Sequence, residues 1–69
     1  MSLLYTLDAV DTITQNLVSF EVYESDSGYH ILPLSPDCKK GEHLCHPSVR
    51  SFNDIKREIL IVFQARIIE

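Results

Sequence analysis

Apolar residues at Leu7, Val10, Ile13, Leu17 and Val18 recur every three or four positions, the spacing of one helix face. The chain therefore opens on a predicted helix near 7–17, with Thr6 as N-cap and Asp8 and Asp11 at the positive end of its dipole. The period then falls to two. Val18, Phe20 and Val22 alternate with Ser19, Glu21 and Tyr23, which predicts a half-buried strand. Ser25-Asp26-Ser27-Gly28 supplies a turn, and Tyr29 to Leu34 reads as the returning strand of a hairpin, with Pro33 marking it as an edge.

Two hairpin registers compete. A four-residue loop pairs Glu24 with Tyr29 and sets Val22 beside Ile31; a three-residue loop with a bulge at Gly28 sets Val22 beside Leu32, and the choice decides which way His30 points. A loop from Ser35 to Pro47 follows. Ser51 and Asp54 then stand in capping-box relation ahead of Phe52, Ile55, Ile59, Val62, Phe63 and Ile67, which predicts a second helix near 51–66. The five consecutive apolar residues Ile59 to Phe63 also fit a buried strand, but no Gly, Pro or Asn separates them from Lys56-Arg57-Glu58. The fold class these elements predict is α+β: a small α-β-β-α domain, a two-stranded antiparallel hairpin flanked by two helices and completed by dimerisation.

Size sharpens the need for a partner. One core in 69 residues rarely supplies more than roughly 3–5 kcal/mol, so a disulfide, a metal or a second chain is expected as a supplement. With five apolar residues in one turn, the second helix needs cover on two sides, and Ile59, Ile61, Val62 and Phe63 are the expected homodimer interface. Residues 1–69 read as one domain, although Met1-Ser2-Leu3 and Glu69 resemble vector-derived residues, and a fragment of a longer protein fits as well.

Charge placement says more than the net value of −4. Asp8, Asp11, Glu21, Glu24, Asp26 and Asp37 precede the first base, Lys39, so the first half repels phosphate and nucleic acid is a disfavoured partner. Glu21, Tyr23 and Glu24 form the expected patch for a protein partner. Acids also surround Tyr23 and Tyr29, which counts against an RNA stacking platform. No run approaches a membrane span and no signal peptide is evident, so the expected setting is cytoplasmic.

Candidate chemistry is concentrated in the loop. Cys38, His43, Cys45 and His46 are four potential zinc ligands within nine residues, with His30 a possible recruit. Their spacing is poor for a knuckle, since six residues separate the cysteines and His46 adjoins Cys45. A Cys38–Cys45 disulfide and two unpaired thiols are the competing readings. Adjacent Cys45 and His46 lack the third orienting group of a thiol catalyst, and no glycine-rich phosphate loop is present. The Asp8–Asp11 pair is explained by a helix dipole without catalysis, and Lys39-Lys40 by solvation. A non-enzymatic protein-interaction or regulatory homodimer without a cofactor is the leading expectation. The alternative is a zinc-binding or thiol-redox module built on the Cys38–His46 loop.

Overall fold

A computed structural model describes residues 1–35 and 40–69. The elements are β1 (Ser2–Asp11), β2 (Leu17–Ser25), β3 (Gly28–Pro33), β4 (His43–Leu44), α1 (Phe52–Phe63) and β5 (Ala65–Ile67). The strands form one sheet in the order β4-β3-β2-β1-β5, every pair antiparallel, curled into a half-barrel with α1 on its inner face. The α-β-β-α arrangement is thereby corrected to a mostly β fold with one helix.

The predicted first helix is a strand and a turn. Tyr5, Leu7 and Ala9 lie opposite Val22, Phe20 and Val18, so alternate residues of β1 face the helix side, while Thr6 and Asp8 pair with Glu21 and Ser19 on the open side. The apparent helical spacing mixed both faces of this strand with Ile13 at a turn tip. Asp11 ends the strand: its Oδ1 accepts from the amides of Ile13 (2.8 Å) and Thr14 (2.9 Å), an Asx turn, and Gln15 adopts φ 64°. Thr6 caps nothing, and Asp8 accepts from the Ser19 hydroxyl at 3.0 Å. A bulge between Leu3 and Tyr5 shifts the register near the start of β1.

The β2–β3 hairpin takes the register that pairs Glu24 with Tyr29 and Val22 with Ile31. Gly28, paired with Ser25, sits at φ 122°, where a side chain would be strained. His30 consequently faces the open side. The hairpin's returning strand is not wholly an edge, since His30 and Ile31 pair with Leu44 and His43 of β4; beyond them Pro33 has no strand partner on that side among the described residues.

The capping box is present: Ser51 Oγ accepts from the Asp54 amide at 3.1 Å, and Asp54 Oδ2 accepts from the Ser51 amide at 3.2 Å. Ile55, Ile59 and Phe63, four apart, turn one stripe of α1 onto Ala9, Phe20, Val22, Ile31, Cys45, Val49 and Ala65. The rings of Phe20 and Phe63 are 5.0 Å apart and those of Tyr5 and Phe52 5.1 Å. The run from Ile59 to Phe63 is helical throughout. It stops at Gln64, whose left-handed φ of 55° is held by Thr12, which donates to the Gln64 carbonyl from its amide (2.8 Å) and hydroxyl (3.0 Å). The expected continuation of the helix to 66 is replaced by β5, which pairs with β1. Lys40 supplies the cation that the last turn of α1 lacks, donating to the Val62 carbonyl.

Candidate functional site

Strand alternation assembles one mixed cluster. His43 and Cys45 are two apart, and Cys45 continues the ladder by donating its amide to the Tyr29 carbonyl at 2.9 Å, so both side chains turn toward α1. There they meet Glu58, which borders the buried stripe one position before Ile59. His43 Nε2 lies 2.7 Å from Glu58 Oε1 and carries the hydrogen between them. A ring nitrogen of His43, Cys45 Sγ and a carboxylate oxygen of Glu58 all fall within 4.8 Å of one another. The ring edge of His43 also packs against Phe63, centroids 6.2 Å apart at 88°.

Depth differs across the cluster. The side chains of His43 and Glu58 are 28% and 23% exposed, whereas Cys45 is fully buried. Cys45 is a free thiol. Burial, and secondarily the Glu58 charge, push it up to about 11, so it is protonated and unreactive at neutral pH.

Of the four ligands expected from sequence, His43 and Cys45 come together. His46 does not: it is exposed, with Nδ1 3.1 Å from the Ser48 amide, which donates to it, and 2.9 Å from the Ser48 hydroxyl. Cys38 and Lys39 lie outside the described residues, and with them the competing reading of a Cys38–Cys45 disulfide. Glu58 was missed, although residues 55, 59 and 63 as the inward stripe would have put 58 on its border.

His30 belongs to a separate network on the open side. Its Nε2 is 2.7 Å from Ser25 Oγ and its Nδ1 3.4 Å from Glu42 Oε2, an order of residues that resembles a hydrolase triad. The hydroxyl is nevertheless part of the turn, accepting from the Ser27 amide at 3.2 Å. It also lies 3.4 Å from the Gly28 carbonyl as a donor, which ties it further into the turn, and the network pins the hairpin to the segment before β4.

The expected interface residues divide. Ile59 and Phe63 are spent on the chain's own core, Val62 is half-buried, and Ile61 is 67% exposed, with Leu60 also exposed. Next to Leu60 runs a shallow groove between α1 and β5, lined by Lys56, Arg57, Leu60, Arg66, Ile67 and Glu69. On the hairpin, Tyr23 donates to Glu21 at 2.9 Å, which raises the phenol above its usual range. Glu24 is exposed and Glu21 half-buried, but the three do not share a face as expected: Glu24, opposite Tyr29, turns to the side away from Glu21 and Tyr23. Tyr23 and Tyr29 face opposite sides of the sheet, so they form no joint platform. A depression of about 230 Å³ over Phe20, Pro33 and Phe63 is smaller than usual small-molecule sites, about 300 Å³ and upward. No helix among the described residues is long and apolar enough to cross a membrane.

Comparison with protein-family models, with curated proteins and with solved structures finds no match.

Proposed function

We propose that the chain is a non-enzymatic interaction domain that acts as a homodimer in the cytoplasm. The observation that carries this reading is the basic-rimmed apolar groove beside α1, which faces outward in a chain whose other half is acidic. Lys56, Arg57 and Arg66 stand around Leu60 and Ile67, Lys56 Nζ lying 2.7 Å from the Glu69 carboxylate that also lines the groove, and Ile61 is exposed on the same helix. The complementary surface is the open side of a second copy's hairpin, bearing Glu21 and Tyr23, with Glu24 at its rim on the opposite pleat. Two such contacts related by a two-fold axis close the dimer and cover both surfaces. The free thiol of Cys45 suits a reducing compartment. The same acidic surface disfavours nucleic acid as partner, and the dimer needs neither a membrane nor a cofactor.

Native mass spectrometry and sedimentation test the reading. The expected species is twice the 7.9 kDa chain. Arg57→Glu/Arg66→Glu and Glu21→Lys/Glu24→Lys should each be monomeric, and mixing the two should restore a heterodimer through one swapped contact. A wild-type chain that stays monomeric at high micromolar concentration, or charge variants that dimerise unchanged, would sink this arrangement.

A further inference from the structure

We propose that His43, Cys45 and Glu58 form a binding site for one zinc ion, clasped between β4 and α1. Three donor types of the kind zinc takes, sulfur, imidazole nitrogen and carboxylate oxygen, converge from two elements whose relative position is set by the core. A tetrahedral ion with bonds of about 2.0–2.3 Å separates its ligand atoms by roughly 3.3–3.8 Å. The three atoms here fall within 4.8 Å of one another, and His43 Nε2 and Glu58 Oε1 are 2.7 Å apart. Opening that pair by about half an ångström would bring it to the separation of two ligands on one ion.

Charge matches as well as distance. A thiolate, a carboxylate and a neutral imidazole total −2, which neutralises a divalent ion in a site with one fully buried member. The sulfur selects a borderline-soft metal over calcium or magnesium, which prefer all-oxygen shells. On binding, Cys45 releases its proton to solvent and His43 carries its hydrogen on Nδ1, freeing Nε2 for the metal. The part-exposed edges of His43 and Glu58 give the ion its way in and leave a fourth position for water. Phe63 against the imidazole fixes the ring plane, as orienting groups do around metal ligands. The ion would staple the two-residue β4 to the helix, the supplement a domain of this size lacks.

The test is zinc titration of chelator-treated full-length protein, read by native mass spectrometry and by competition with a chromogenic chelator. Cobalt then reports the ligand set through thiolate charge transfer. One ion per chain is expected, with a cobalt–thiolate band that disappears in Cys45→Ser. Glu58→Gln keeps a hydrogen-bonding partner for His43, so the fold should persist while affinity falls at least about 100-fold. His43→Ala should do the same without touching the buried thiol. Absence of stoichiometric zinc in the folded wild type, or undiminished binding in both Glu58→Gln and His43→Ala, overturns the assignment.

Discussion

The two faces of α1 are built from nearly the same residue types and have opposite fates. Ile55, Ile59 and Phe63 are sealed against the sheet, while Leu60 and Ile61, equally greasy and immediate neighbours of Ile59, stand in solvent. Hydrophobicity alone therefore did not choose the core. The 3.6-residue period did: once Ser51 and Asp54 fix where the helix begins, only residues four apart share the stripe that meets Phe20 and Ala65. What remains outside is the apolar surface that the proposed dimer would cover.

Substitutions separate the faces by size of effect. Phe63→Ala should cost about 3–5 kcal/mol and Ile59→Ala about 2–5, because each leaves a cavity in the core. Either loss rivals the whole stability of so small a domain, so circular dichroism should show a largely unfolded chain at 37 °C. Ser51→Ala removes the N-cap and should cost about 1 kcal/mol in a denaturant titration, with the dimer retained in dilute buffer. Ile61→Asp should change folding stability by under about 0.5 kcal/mol and yet halve the mass seen in sedimentation. If Ile61→Asp unfolded the chain as Phe63→Ala does, the two faces would not be distinct.

Acid offers a gentler probe of the same helix. Asp54 accepts from the Arg50 and Ser51 amides and Asp11 from those of Thr14 and Ile13, and these bonds hold both carboxyls below their ordinary value of 3.8. A carboxyl lowered on folding stabilises fully above its unfolded value and loses that contribution as pH falls through the folded one. The helix start and the β1–β2 turn should thus loosen together below about pH 4, and protection against amide exchange at Ile13, Thr14, Arg50 and Ser51 should fall there ahead of the core.

Local signals were legible and tertiary ones were not. The capping box, the β2 alternation and the Gly28 turn are contained in a few adjacent residues, and each is where the sequence places it. The β1 strand was hidden because Leu3 and Val10 put apolar residues on the open side, and Ala9 is too small to stand out in its alternation. β4 and β5, two and three residues long, are shorter than any period that could announce them. The metal-type cluster was half visible. His43 and Cys45 are two apart in the chain, but Glu58 joins them only because α1 packs across the sheet. His46 was as prominent as His43 by composition, and falls outside the described cluster because the chain leaves the strand before reaching it.

The pairing of β1 with β5 sets an order of events in the life of the chain. β1 has Asp11 opposite Ala65, far later in the chain, so that end of its edge stays bare until α1 and β5 have been synthesised. On the ribosome, β1 to β3 can zip as a meander, but the sheet's last rung awaits the helix and the residues beyond it. During that interval the exposed strand edge is open to any passing β-strand, including the same edge of a neighbouring nascent chain. Chaperone dependence during synthesis would then rest on how fast α1 swings across the sheet and brings Ala65 to Ile67 home.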